Sequence, residues 1–145
     1  MLTNWRPKQT KFKRLQKGII KKCNYSFSAT RVQQGSMGLR ILKSGILTSR
    51  QLEQARRKML TFRKKKEKQK IWFHCIPDIP VTCKPLGIRM GKGKGAPKHW
   101  ISRLLSGKIV MQLNYLSKNR AFRALTVVKK LLPVPTKIVF SRALI

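Results

Sequence analysis

Glu53, Glu67 and Asp78 are the only carboxylate side chains in this sequence, and His74 and His99 the only imidazoles. General acid–base catalysis needs such groups held close to a partner. Here the acids are far apart along the chain, and Glu53 and Glu67 sit on or beside a basic helix. A two-metal nuclease needs several converging carboxylates, which this chain does not supply. No serine lies in a nucleophile-elbow pattern. His74, Cys75, Cys83 and His99 are the residue types that hold zinc, but the closely spaced cysteine pair of a zinc site is missing. Cys75 alternates with apolar residues and reads as a buried thiol. No catalytic residue, metal or cofactor is expected.

The segment "IRMGKGKGAPKHW", residues 88–100, carries different chemistry. A phosphate-binding P-loop requires G-x-x-x-x-G-K-[ST]. After Gly91-Lys92 and Gly93-Lys94 come Gly93 and Gly95, so no hydroxyl stands where magnesium would need it. A dinucleotide fingerprint has another glycine period and opens a helix, whereas here Pro97 follows. The remaining reading is a flexible cationic finger. Gly91, Gly93 and Gly95 let the backbone approach a phosphate or another backbone closely. Arg89, Lys92, Lys94 and Lys98 surround it with positive charge, and successive N–H groups form anion-binding concavities. Trp100 either anchors the finger in the core or stacks on a base.

The whole chain has the same bias. Lys and Arg total 35 against three acids, a formal net charge of +32 over 145 residues. Such a chain repels itself and calls for an external polyanion. Nucleic acid answers this best, because phosphate contacts release counterions. An anionic membrane is the competing surface, but no apolar run approaches the roughly 18 residues of a spanning helix. Cys23, Cys75 and Cys83 are too few and too scattered for a disulfide framework, which favours a reducing compartment.

The elements that must position these residues follow from periodicity. Residues 1–24 read as a basic arm and 25–145 as one folded domain. Tyr25, Phe27 and Ala29 alternate with small polar residues as a strand, "QQGSMG" turns, and "LRIL" (39–42) returns. In "LTSRQLEQARRKMLTFRKKK", Thr48 and Gln51 form a capping box, with Leu47 stapled onto Leu52. Leu52, Ala55, Met59 and Phe62 form its inner face; Arg50, Arg57, Lys64 and Lys65 lie outside. With so few acids to pair them, these cations are assigned to phosphate. "KIWFHCIP" (70–77) is a strand, and "PDIPVTCKP" reads as an irregular connector. "HWISRLL" and "KIVMQLNYL" flank Ser106-Gly107 as a hairpin. Ser117 caps a second helix through Leu132, with Ala121, Leu125, Val128 and Leu132 inward, and "TKIVFSR" (136–142) is a last strand. The fold class is α+β: two helices packed on a mainly antiparallel sheet as an α/β sandwich, with a basic arm and a protruding Gly/Lys loop.

Several of these stretches, in this order, resemble the bacterial and organellar large-subunit ribosomal protein L sixteen family. They are "PKQTKFKRLQKG" (7–18), "LTSRQLEQARRKM" (47–59), "KIWFHCIPDIP" (70–80) and "KPLGIRMGKGKG" (84–95). The resemblance implies a non-catalytic structural constituent of the large subunit, bound to rRNA near the peptidyl transferase centre. It implies help in late assembly and in positioning tRNA at the aminoacyl site, with neighbouring ribosomal proteins as further partners and no membrane. Lys8, Lys11, Lys13, Arg14 and Lys17 of the arm would contact rRNA. Arg89, Met90, Lys92 and Lys94 would reach toward rRNA and the tRNA acceptor end. Lys98-His99 replaces an acid common before the tryptophan, and Cys83 replaces an acidic or polar residue. This basic drift suits an organelle-encoded, mitochondrial member over a plastid or bacterial one, and the ends of the chain imply no transit peptide. A nucleoid-type DNA-binding protein is the alternative that also accounts for the charge.

Overall fold

The structure, a computed structural model, describes residues 5–18, 26, 29–62, 70–114 and 117–141. Among the described residues, seven strands and two helices follow in the order β1 (Met37–Ile41), β2 (Gly45–Thr48), α1 (Ser49–Thr61), β3 (Lys70–Phe73), β4 (Ile79–Cys83), β5 (Ala96–Leu104), β6 (Ile109–Asn114), α2 (Lys118–Leu131) and β7 (Thr136–Phe140). The α+β class holds, with two sheets in place of one. A four-stranded sheet has the order β3-β6-β1-β7, and a three-stranded sheet the order β2-β5-β4. Among the described residues all five strand pairings are antiparallel.

One apolar core joins both sheets and both helices. Leu39 of β1, Leu47 of β2, Leu104 of β5 and Met111 of β6 belong to it, with Leu52, Ala55 and Met59 of α1 and Ala121, Leu125 and Val128 of α2. β6 lies between β3 and β1, and every residue from Ile109 to Leu113 is buried. Such continuous burial is the mark of a strand covered on both faces.

The first helix follows its local code. Gln51 N donates to Thr48 Oγ1 at 3.3 Å, and Thr48 N donates to Gln51 Oε1 at 2.9 Å, completing the capping box. Leu52, Ala55 and Met59 are buried, and Phe62 packs partly buried against the core. The second helix is capped less well. Ser117 occupies the N-cap, but its side chain makes no cap hydrogen bond.

Four strand readings need correction. Tyr25 and Phe27 lie outside the described residues, and neighbouring Ser26, Ala29 and Thr30 form no strand. Ala29 has a φ of 54°, in the left-handed region, and its carbonyl accepts from Ile109 N at 2.9 Å. The first two strands are instead β1 and β2, which lie in different sheets, and "GILT" is too short to announce itself before the helix. "IPVTC" is strand β4, not a connector. Pro80 is tolerated because β4 is an edge strand, where a missing N–H costs no ladder bond on the open side. Finally, β5 and β6 form no hairpin. Gly107, with a φ of 86°, bends the chain from one sheet into the other, and its N–H donates to Ile41 O at 2.8 Å. Each strand finds other partners: β5 between β2 and β4, β6 between β3 and β1.

Candidate nucleic-acid interface

The arm begins on the body of the domain. Trp5 packs edge-on against Phe73, with ring centroids 5.0 Å apart, and its Nε1 donates to Glu53 Oε2 at 2.7 Å. Further along, two cations of the domain reach the arm's own carbonyls. Lys94 Nζ donates to Leu15 O at 2.7 Å, and the Arg103 guanidinium donates to the carbonyls of Gln16 and Lys17. Lys8, Lys11, Lys13, Arg14 and Lys17 are all exposed. Sequence reasoning missed Trp5 and Arg103 as the residues that lay the arm down. The signals were an aromatic in a polar arm and an exposed cation between the buried Ser102 and Leu104 of β5.

Arg50 and Arg57 stand exposed on α1. Lys64 and Lys65 lie outside the described residues. The argument that these cations lack acidic partners is corrected for Arg57: Glu53 accepts from its Nε at 3.1 Å, one helical turn back. Glu53 also accepts two hydrogen bonds from Arg56, at 3.0 Å each. These bonds raise the pKa of Arg56, against a smaller opposing effect of burial. Trp5, Arg56 and Arg57 thus converge on one carboxylate, which ties the arm to the helix and leaves Glu53 no surplus negative charge.

The Gly/Lys loop joins the ends of β4 and β5, where Cys83 pairs with Ala96. Its base is fixed. A Cβ on Gly95 would lie 2.6 Å from Cys83 O, so only glycine lets the two backbones meet there. Lys84 Nζ reaches across the base to Gly91 O at 2.5 Å. The tip is different. Gly91, Lys92 and Gly93 have φ values of 103°, 52° and 74°, three left-handed residues in a row, and nothing lies within 4 Å of a Cβ built on either glycine. Arg89, Met90, Lys92 and Lys94 are exposed, and Leu86 and Met90 present essentially their whole side chains to solvent. The three glycines therefore have two separate tasks, conformation at the tip and close approach at the base.

Lys98 is exposed on β5 beside Trp100, which is half-buried and stands outside the core. Trp100 lines a cleft with Trp5, Arg6, Arg50, Lys98 and His99, and a second cleft with the arm.

The residues once weighed for zinc do not converge. Among the described residues no three of His, Cys, Asp or Glu form a metal-binding group. Cys75 is buried, and burial pushes its thiol up to about 12, against a smaller opposing pull from Lys108. Cys83 is exposed. Among the described residues no helix is long and apolar enough to cross a membrane.

The fold and surface define a small α+β protein that places cations on an arm, a helix and a stiff-based loop. The family described as ribosomal protein L16p/L10e matches residues 7–139. Over 133 residues the chain is 41% identical to the large ribosomal subunit protein uL16 of Psychrobacter arcticus, covering 92% of this chain and 94% of that protein. Over 135 residues it is 37% identical to uL16c of Cuscuta obtusiflora, covering 93% and 96%. The chain belongs to the ribosomal protein L16p/L10e family; it is a structural protein of the ribosome, not an enzyme.

Proposed function

We propose that this chain, by its family a structural constituent of the large ribosomal subunit, acts there as a three-point clamp on rRNA. The arm (Lys8, Lys11, Lys13, Arg14, Lys17) and the outer face of α1 (Arg50, Arg57) hold phosphates. The loop (Arg89, Met90, Lys92, Lys94) extends toward the peptidyl transferase centre and the acceptor end of tRNA at the aminoacyl site, and Lys98 on β5 adds an rRNA contact beside it. Residues 1–24 act as the arm of a single domain spanning 25–145. Binding completes the packing of rRNA late in subunit assembly. The ribosome in question is organellar, mitochondrial by the basic drift of the sequence.

The observation that carries this reading is the loop. Its base is closed by Gly95 against Cys83 and by the Lys84 bond to Gly91 O, while Cβ positions on Gly91 and Gly93 at its left-handed tip face open space and Arg89, Met90, Lys92 and Lys94 are exposed. A passive surface loop needs no such base.

The test separates its two chemistries. Replacing Lys92 and Lys94 with Ala should weaken rRNA association and reduce its salt dependence, by a log–log slope of roughly 0.7–0.9 per lost phosphate contact. Replacing Gly91 and Gly93 with Val keeps the charge but obstructs the tip. Subunits carrying that variant should contain the protein at normal occupancy and bind tRNA poorly. Normal tRNA binding at normal occupancy would remove the loop from the mechanism. Recovery of the tagged chain in ribosomes from purified mitochondria checks the compartment.

A further inference from the structure

We propose that the surface around Trp100 is a stacking site for an unpaired RNA base, set among the phosphate contacts of the arm and the helix. The proposal rests on the RNA-binding reading and names a second kind of contact within it.

Trp100 is the wall between two clefts. One opens toward α1 and is lined by Arg50 and Lys98; the other opens toward the arm and is lined by Lys8 and Lys13; Arg6, Pro97 and Trp100 line both. An indole beside a proline ring, with cations on either side, is the arrangement that takes a base on the ring and its flanking phosphates on the charges. A duplex buries the faces of its bases, so only an unpaired nucleotide can use an indole this way.

The platform is held in place. Trp100 lies in β5, the central strand of its sheet, with its backbone paired to Pro80 on β4. The opposite wall is fixed by Glu53, which holds Trp5, Arg56 and Arg57 at once. That carboxylate would repel a phosphate if it were bare. Here its charge is matched by two guanidinium groups, so the cleft remains favourable to an anion. Further along β5, Ile101, Ser102 and Leu104 are buried, whereas Trp100, nearer the loop end of the strand, is half-buried.

The experiment uses the full-length chain and three RNA probes: a short oligoadenylate, the same backbone with abasic riboses, and a blunt RNA duplex. The wild type should bind oligoadenylate about tenfold more tightly than the abasic backbone, the typical value of one stacked base. Trp100→Leu keeps apolar bulk but removes the aromatic face, and should abolish that preference while leaving duplex binding unchanged. Trp100→Phe should retain part of it. Lys98→Ala should weaken all three probes alike. A wild type without preference for bases over the abasic backbone overturns the stacking site and leaves the clamp intact; this comparison needs no variant, so a misfolded Trp100→Leu does not shield the proposal. A preference that survives in folded Trp100→Leu overturns it equally. Failure to bind any of the probes overturns the RNA-binding reading itself.

Discussion

At the scale of single residues, glycine shows how context divides one residue type into several roles. Gly35 and Gly87 both have positive φ, 79° and 84°. Gly87 has nothing near it, whereas a Cβ on Gly35 would lie 2.1 Å from Leu113 O. Gly87→Ala should therefore cost no more than the roughly 1–2 kcal/mol of a left-handed residue bearing a Cβ. Gly35→Ala should cost clearly more, because it must also push β1 away from β6. Urea unfolding of the two variants checks the order, and equal losses would show that conformation alone decides. The cysteines separate in the same manner. With its thiol pushed to about 12 and buried, Cys75 should resist alkylation in the native protein at mildly alkaline pH, while exposed Cys83 reacts. Mass spectrometry of peptides from natively alkylated protein reads both; modification of Cys75 at the rate of Cys83 would contradict its burial.

At the scale of elements, the two helices offer a controlled contrast. Thr48 caps α1 through a reciprocal bond with Gln51, whereas Ser117 holds the corresponding position on α2 without a side-chain bond. Thr48→Ala should cost about 0.5–2 kcal/mol, and Ser117→Ala distinctly less. Denaturant midpoints at constant m decide this, and an equal or larger loss at Ser117 would mean the cap bond carries no weight. The ion pairs on α1 are a weaker support. The Arg57 side chain is 60% exposed, so its pairing with Glu53 is of the surface kind, at most about 1 kcal/mol.

At the scale of the molecule, charge dominates. A net charge of +32 on 145 residues sets every surface region against the others. Salt screens such repulsion over about 10 Å at 0.1 M. The free protein should thus become more stable as salt rises, with a higher melting temperature, while its affinity for RNA falls over the same range. Calorimetry and filter binding on one salt series test the pair of opposite trends. A melting temperature that falls with salt would mean that the surface is dominated by attractive pairs such as Glu53–Arg57.

The sequence alone determined what lies in the order of neighbours. The capping box of α1, its inner face at Leu52, Ala55 and Met59, the inner face of α2 and the strand starting at Lys70, which ends at Phe73 and not at 77, are local patterns, set by the 3.6-residue and two-residue periods of the backbone. Family membership was legible in the same way, in short motifs at fixed separations. What the tertiary structure decided depends on partners distant in sequence. "IPVTC" is a strand because β5 offers it an edge that accepts Pro80. "HWISRLL" and "KIVMQLNYL" part at Gly107 because each has better partners in a different sheet. Trp5 packs on Phe73 and Glu53, and Trp100 stands between the arm and α1, because residues distant in sequence come to line the same clefts. Periodicity names the face of a strand, but only the assembled sheets say what that face meets.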